Sequence, residues 1–241
     1  MEAQRTLIFI VAATLVLLSS CLAKTTVVQA GTASVGQTVI DDAGQQDLVR
    51  GSGRRGSVER ELPPFERIVI RVAATVRVTT GAAPSVTLQG DDNLLSLLET
   101  RVHEGVLYLE TERSFAPQLP LTIALTTPSL RTLEQWASGE VELQNMRGNQ
   151  LALVLAGAGR LQASGQVDKL EAELTGSGEM RMQELRSKQA VVRIGGAGNV
   201  HVHAEQSLHA VITGAGSITY LGNPRVEKQI LGAGSVTAAH S

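Results

Sequence analysis

The sequence predicts an all-β protein: a single-domain parallel β-helix, or β-solenoid, with about 18–20 residues per turn, preceded by a signal peptide and a flexible tether. Three observations predict this fold. A glycine motif recurs six times in the C-terminal half, apolar residues alternate on both sides of each copy, and a polar stretch separates the repeats from a short apolar N-terminal run. A repeat of this length is too long for a coiled-coil heptad and too short for a pair of helices.

The glycine motif reads Gly-Ala-Gly or Gly-Ser-Gly, except in its first copy, which reads Ala-Ser-Gly. The last glycines of successive copies are 20, 19, 20, 18 and 18 residues apart. Two glycines around one small residue indicate a tight bend, where side chains would collide between turns or where φ must be positive. The glycines that we assign to these structural bends are Gly139, Gly157, Gly159, Gly176, Gly178, Gly196, Gly198, Gly214, Gly216, Gly232 and Gly234.

Apolar residues alternate with other residues on both sides of each bend. Leu170, Ala172 and Leu174 precede one motif, for example, and Met180 and Met182 follow it. A period of two is typical of a strand with one buried face. When successive turns stack in parallel, each apolar position forms a continuous column, and the core becomes one narrow hydrophobic tube.

Polar residues interrupt the apolar columns only near the ends of the array. Arg131 and Gln135 do so in the first copy and Lys228 in the last. We therefore expect the tube to meet solvent at both places. Trp136 precedes the first motif, and we assign it to packing at an irregular first turn rather than to a cap or a contact surface.

The N-terminus has the features of a lipoprotein leader. Residues 7–18 form an apolar run that is too short to span a bilayer, so we interpret residues 1–20 as a signal peptide. Cys21, the only cysteine, follows two small residues in a stretch that resembles a bacterial lipobox, and it is the predicted lipidation site. Ordinary cleavage after Ala23 is the alternative and would give a secreted protein. A single cysteine excludes an internal disulfide.

The residues between the leader and the repeats are interpreted as a tether. From Lys24 to about Arg60 the chain is rich in Thr, Ser, Gly, Gln and Ala and shows no sustained periodicity, which is typical of disordered chain. Such a segment reaches on the order of 35 Å. Residues 21–60 are therefore predicted to be the lipidated cysteine and its tether, and residues 61–241 the β-helix.

The first half of the body also contains β-rich runs, separated by glycine and proline, between residues 68 and 125. Residues 72–78 have the strand, bend and strand order of the later copies without their glycines, and we interpret them as a degenerate turn. Residues 93–98 are predicted to form a short helical turn.

Four segments, followed by the Gly-x-Gly repeats, occur in an order that resembles a known family. They are Arg50-Gly51-Ser52-Gly53, Pro64-Phe65-Glu66-Arg67-Ile68, Asn93-Leu94-Leu95 and Gly105-Val106-Leu107-Tyr108-Leu109. The order resembles the head GIN domain of auto-transporter adhesins and bacterial cell-envelope proteins, over about residues 50–241. The resemblance implies a parallel β-helix in an extracytoplasmic protein and brings no catalytic residues with it.

Composition and spacing exclude several function classes. A net charge of −2 and 2% aromatic residues leave neither a basic stripe nor stacking platforms for nucleic acid. A phosphate-binding glycine loop needs a single strand–glycine–helix unit, whereas this motif recurs between strands. No cofactor is predicted.

His201 and His203 are the weak candidates for a metal site. They should face outward together, because Val200 and Val202 take the inward positions, and His209 in the next strand could complete the site. A structural metal needs three or four ligands. We therefore predict solvated histidines and no metal.

The outward positions also argue against catalysis. Three residues after each motif stand Glu142, Gln162, Arg181, His201, Thr219 and Thr237, without the carboxylate pair that sugar cleavage needs. Asp91-Asp92 is interpreted as a turn, and Glu110 and Glu112 as the solvent face of a strand.

These observations predict a non-enzymatic cell-envelope protein of adhesin-like or partner-binding type, anchored to the membrane by its N-terminal lipid. Its partner would be an envelope protein, a glycan or a matrix component. A polysaccharide-cleaving enzyme on the same scaffold is the first alternative. An architectural domain that associates end to end is the second, because an uncovered last turn invites pairing.

Overall fold

The structure, a computed structural model, describes residues 48–239. The signal peptide, Cys21 and most of the predicted tether lie outside these residues. The strands, in chain order, are β1 (Val49–Arg50), β2 (Arg55–Glu61), β3 (Arg67–Ile70), β4 (Ala74–Thr80), β5 (Ser85–Asp91), β6 (Leu98–His103), β7 (Val106–Thr111), β8 (Phe115–Ala116), β9 (Thr122–Thr127), β10 (Thr132–Gln135), β11 (Gly139–Leu155), β12 (Arg160–Leu174), β13 (Glu179–Ile194), β14 (Asn199–Ile212), β15 (Ser217–Leu221), β16 (Arg225–Ile230) and β17 (Ser235–Ala238).

Helical structure within residues 48–239 is limited to one 3-10 turn, Leu95–Leu97, at the position where the sequence predicts a short helical turn. Among the residues described, no helix has the length and hydropathy of a membrane span.

The predicted β-solenoid is confirmed, with about five turns. The long strands β11, β12, β13 and β14 each run from one glycine bend to the next, and each pairs in parallel with its successor. Within β11 the register shifts between Leu143 and Met146, beside Asn145, whose φ of 57° makes a second corner in the turn. Asparagine tolerates this left-handed conformation better than most residues.

The apolar columns of the sequence form the core. Leu155, Leu174, Ile194 and Ile212 are neighbours in successive turns, and all four are buried. Stacked apolar side chains remove a continuous strip of surface from water, which is the main favourable term in folding. The alternation therefore determines which side of each strand faces the tube.

The turns do not stack in the order in which the chain makes them. The turn formed by β3 and β4 pairs on one side with β10 and β11, and on the other with β7 and β9, which come later in the sequence. Val76 pairs with Val141, so residues 72–78 do form the degenerate turn that the sequence predicts. Two turns without glycine motifs thus extend the tube beyond the first motif.

The expectation that the tube meets solvent at Gln135 is therefore wrong. Gln135 is 1% exposed and lies in the apolar column between Ile70 and Leu155, because the extra turns cover it. Its amide Nε2 donates to the Gly139 carbonyl over 3.1 Å, whereas its Oε1 has no hydrogen-bond partner. Arg131 does reach the surface, where its Nε lies 2.8 Å from Glu66 Oε2.

The opposite ends of the tube differ. At one end β6 pairs antiparallel with β7, and β2 and β5 form an antiparallel extension of β9. At the other end β16 and β17 form the last turn, and Lys228 is exposed there, as the broken column predicts. Antiparallel strands cannot continue a parallel solenoid, so they close the first end.

The tether prediction is wrong for residues 48–60. This segment contains β1, which pairs with β8, and most of β2, which pairs with β5 over its full length. Strand β2 has a mostly exposed side-chain pattern, so the alternation that marks the other strands is absent from its sequence. Its main-chain pairing, which local composition does not encode, places it in the sheet.

Asp91 belongs to the core of this end, although the sequence suggested only a turn. It is 1% exposed and accepts hydrogen bonds from the backbone N–H groups of Gly53, Gln118 and Leu119, over 2.6, 2.8 and 3.0 Å. The hydrogen bond from Leu119 is the largest influence on the pKa of Asp91, and it lowers this pKa. Burial raises the pKa, whereas the bonds from Gly53 and Gln118 lower it further, so the pKa of Asp91 is lowered overall. The carboxylate thereby ties together three separate segments.

Candidate functional site

The glycine bends are places of close approach between successive turns. A Cβ atom at Gly176 would collide with the Gly157 carbonyl oxygen, and one at Gly196 with the Gly176 carbonyl oxygen. Among the bend glycines of the motif, a φ in the left-handed region occurs only at Gly139, at 140°. The shape of the bends thus depends on the space that glycine leaves, much more than on unusual backbone dihedral angles.

The outward side of the strands after the bends carries two parallel columns, which together we name the post-glycine face. The first column is Glu140, Arg160, Glu179, Asn199, Ser217 and Ser235. The second is Glu142, Gln162, Arg181, His201, Thr219 and Thr237. The second column is the one that the sequence places outward, and the register brings its members side by side.

Carboxylates and guanidinium groups alternate on the post-glycine face. Arg160 lies 3.8 Å from Glu140 and 3.2 Å from Glu179, and Glu179 also binds Arg181 over 2.8 Å. The hydrogen bond from Arg181 is the main cause of the lowered pKa of Glu179. A general acid needs the opposite shift. Glu179 therefore stays ionised and serves as a partner of both arginines.

The first column, unlike the second, was not predicted from the sequence. Glu140 and Glu179 immediately follow their bends, at an outward position that reads Glu, Arg, Glu, Asn, Ser and Ser in successive copies. The alternation of charge at this fixed repeat position is the sequence signal that could have predicted the ion pairs of the first column.

The histidine candidates are oriented as predicted but do not converge. Val200 and Val202 are buried, while His201 and His203 point outward. His201 Nε2 lies 3.9 Å from Glu179 Oε1, and His203 Nδ1 is 3.3 Å from the Gln183 carbonyl oxygen. His209 instead lies beside Glu227, 3.6 Å away. Within residues 48–239, no three His, Cys, Asp or Glu side chains form a group that could hold a metal ion.

Trp136 contradicts its assignment to packing. It is 54% exposed, on the outward side of the strands that precede the bends, and its indole N–H donates to Glu134 Oε2 over 3.2 Å. The preceding residue, Gln135, takes the inward position in its place. The strict alternation of the strand therefore directs the indole to solvent.

Acidic side chains also cluster near the closed end. Glu110 binds both Arg71 and Arg101, over 3.4 and 3.2 Å. Glu99 forms a hydrogen bond with the Glu112 side chain, and this bond, followed by burial and the charges of nearby carboxylates, raises the pKa of Glu99. Two carboxyl groups that share a hydrogen bond retain a proton more readily than separate ones.

Most of the described chain matches the profile of one protein family. The profile of the family described as "Putative auto-transporter adhesin, head GIN domain" matches residues 64–224. The chain belongs to the head GIN domain family. This match covers most of the described residues, including every turn of the solenoid except the last.

Solved structures share the head GIN fold. A "putative adhesin" from Bacteroides fragilis has a TM-score of 0.67 at 19% identity, covering 79% of this chain and 100% of its own. A "putative lipid binding protein" from Parabacteroides distasonis has a TM-score of 0.56 at 22% identity, with coverage of 80% and 100%. A "putative adhesin" from Parabacteroides merdae has a TM-score of 0.53 at 16% identity, with coverage of 80% and 100%. No curated protein sequence matches significantly.

Membership of the head GIN domain family bears on where the protein is located. Membership of this adhesin-like family indicates a cell-surface or extracytoplasmic location. The identities of the solved structures are low, so they establish the architecture alone.

Proposed function

We propose that the chain is a non-enzymatic envelope protein that binds a partner at the cell surface through the flat outward sides of its solenoid. The head GIN match over residues 64–224 carries this proposal. The solenoid supports it physically, because its strands present polar side chains in regular columns over a broad surface.

The charge pattern of the post-glycine face favours binding over polysaccharide cleavage. Sugar cleavage requires one carboxyl group with a raised pKa near a second, ionised one. On the post-glycine face, Glu140, Glu142 and Glu179 each lie within 4 Å of an arginine instead. Incubation of the whole protein with a polysaccharide panel and Ca²⁺ should release no products, and turnover of any substrate would favour the enzyme.

Binding itself is tested with beads coated with the purified chain. They are expected to be retained on cell surfaces or matrix at a higher level than beads coated with the heat-unfolded protein. Equal retention on every surface tested would contradict the proposal.

We further propose that lipid on Cys21 holds the protein at the membrane. Cys21→Ser is expected to move the protein from the membrane fraction to the soluble fraction, because the variant lacks the thiol that carries the lipid. Immunoblotting of the two fractions measures the change. Unchanged fractionation would instead favour cleavage after Ala23 or another mode of attachment.

A second candidate function is end-to-end assembly through the open last turn. Ile230 and Leu231 favour it, because they are 38% and 66% exposed there. Lys228 opposes it. This residue stands in register with Ala210, a buried member of an inward column, so a second copy stacked on this end would meet an ammonium group in line with the core. Inward-pointing charges of this kind protect sheet edges from association.

Lys228→Val is therefore expected to convert a monomer into concentration-dependent dimers or larger species, as measured by analytical ultracentrifugation. Gln229→Val is the matched control, because it adds a similar apolar group on the exposed side of the same strand. A wild-type protein that already self-associates would show that Lys228 is no barrier. A wild-type protein that stays monomeric at every concentration would remove end-to-end assembly as a candidate, and a Lys228→Val variant that also stays monomeric would show that Lys228 is not what prevents association.

A further inference from the structure

We propose that the outward surface around Trp136 is a binding site for neutral glycans. This inference rests on the proposed binding function and names the chemical class of its partner. We call the surface formed by Arg67, Arg71, Tyr108, Glu110, Glu134 and Trp136 the aromatic patch.

The aromatic patch holds the most exposed aromatic ring of the described residues. Phe65 is buried, and Tyr108, Phe115 and Tyr220 are partly exposed, whereas Trp136 is 54% exposed. The fold does not require a large side chain here, because Ala156 occupies the corresponding position in the next turn. The indole of Trp136 is exposed to water although the fold does not require it at this position. Such an exposed aromatic side chain indicates a contact surface.

Hydrogen bonding orients the exposed ring. The indole N–H donates to Glu134, two residues earlier on the same outward side, and Glu134 in turn lies 3.4 Å from Arg67. These contacts use the polar edge of the indole within the protein. They leave the apolar ring atoms as the part that a ligand can contact.

A second aromatic ring lies within reach. Tyr108 pairs with Val69, and Val69 with Glu134, so Tyr108 is two strands away from the strand of Trp136. With strands about 4.8 Å apart and a two-residue offset along the strand, the two aromatic residues are about 12 Å apart. The Arg101 guanidinium lies 5.2 Å from the Tyr108 ring centroid and covers one of its faces. This spacing suits a short oligosaccharide that touches both residues.

The charges of the aromatic patch compensate one another. Glu134 is paired with Arg67, and Glu110 with both Arg71 and Arg101. The patch therefore offers guanidinium donors and carboxylate acceptors side by side without a strong field of either sign. Adjacent hydroxyl groups of a sugar can both donate and accept hydrogen bonds, whereas a polyanion would need unpaired cations.

The surroundings of Trp136 favour a sugar over a protein partner. Protein hot spots usually lie in well-packed pockets, surrounded by a rim that excludes water. Here the indole stands on an open strand surface among ion pairs, with only the small side chain of Ala156 beside it in the next turn. A pyranose ring needs only an apolar face to stack on and polar groups at its edge.

Trp136 makes the test direct, because it is the only tryptophan in the chain and its fluorescence reports on this patch alone. The purified full chain is titrated with neutral oligosaccharides ending in glucose, galactose, mannose or N-acetylglucosamine, and with a uronic-acid oligosaccharide. At least one neutral oligosaccharide is expected to shift the emission saturably. No response from any neutral sugar, or a response to the uronic acid alone, would overturn the proposal.

Variants then locate the site on a glycan array or by calorimetry. Trp136→Ala is expected to bind about tenfold more weakly, and Trp136→Phe to retain part of the affinity because it keeps an aromatic face. Leu231→Ala is the matched control, since it removes an exposed apolar side chain from the same outward column at the open end and should bind like the wild type. Wild-type affinity in Trp136→Ala would overturn the assignment.

The bead assay separates this inference from the broader function. If wild-type beads and Trp136→Ala beads adhere equally, the proposed binding function is supported and the glycan site at Trp136 is contradicted. If adhesion is lost after protease treatment of the target surface but survives periodate oxidation of its sugars, the partner is a protein and the inference is wrong. If wild-type beads do not adhere but the sugar titration saturates, the glycan site is supported and the proposed function in surface adhesion is contradicted.

Discussion

Gly196→Ala is expected to unfold the solenoid or to destabilise it by about 4 kcal/mol or more, among the largest effects that single substitutions produce. The new Cβ would collide with the Gly176 carbonyl oxygen and lie 2.9 Å from the Thr175 carbonyl oxygen. Both atoms belong to the backbone of the preceding turn, which cannot move away without breaking the parallel ladder. Urea unfolding followed by circular dichroism measures the loss.

Gly195→Ala is the matched control at the neighbouring position. Its Cβ would meet only Thr213 Oγ1 at 3.8 Å and Thr175 Cγ2 at 4.0 Å, which are ordinary contacts. We expect a change within about 0.5 kcal/mol, because an exposed substitution without a collision is usually neutral. Equal stabilities of the two variants would show that the bends do not depend on close approach between turns.

Asp91→Asn is expected to lower the melting temperature by several degrees and to expose residues 48–54 to proteolysis. The carboxylate receives Gly53 N–H on one oxygen and Gln118 and Leu119 N–H on the other. An amide has a single oxygen, so its NH₂ group must face at least one of these donors. Buried N–H groups that lose their acceptor are costly. Differential scanning fluorimetry and limited trypsin digestion measure both effects.

The effect of Asp91 should also depend on pH. Its pKa in the folded protein is lowered from about 3.8, because the hydrogen bond from Leu119, with those from Gly53 and Gln118, favours the charged form. A lowered pKa contributes stability that is fully present above the unfolded pKa and is lost as the pH falls through the folded pKa. The stability difference between the wild type and Asp91→Asn should thus be constant near neutrality and shrink below about pH 4.

Asp92→Asn provides the control for charge. Asp92 is the adjacent carboxylate, but its partners are the exposed groups of Ser52 and Arg54. We expect a small effect on melting temperature, because exposed ion pairs contribute little to stability. A larger loss in Asp92→Asn than in Asp91→Asn would contradict the assignment of Asp91 as the residue that joins the three segments.

The repeat could be predicted because its causes are local. The inward positions of Leu174 and Ile194 follow from a two-residue period, and the bends follow from the glycine spacing. The same reasoning placed His201 and His203 outward. Sequence reasoning failed for Gln135, because the burial of this side chain depends on the turns that lie on either side of it.

The candidate site was predicted in part, because some of its features also follow from local periodicity. Strand periodicity correctly placed the column that contains Glu142 and Arg181 on the outside. It did not reveal that Glu179 lies between Arg160 and Arg181, since one of these contacts joins different turns. The family relationship supplied the adhesin-like class, which no side-chain pattern in this chain indicates by itself.

By itself, the sequence determined the period of the solenoid, the side of each repeat strand that faces the core and the polar interruption at Lys228. These features follow from backbone geometry that repeats about every 20 residues. Tertiary structure alone decided that β3 and β4 insert between later turns, that β2 joins the sheet and that Asp91 holds three segments together. The physical reason is the distance along the chain. These contacts join residues 24 or more positions apart, and they form through loop closure and main-chain pairing, which leave no local pattern in the sequence.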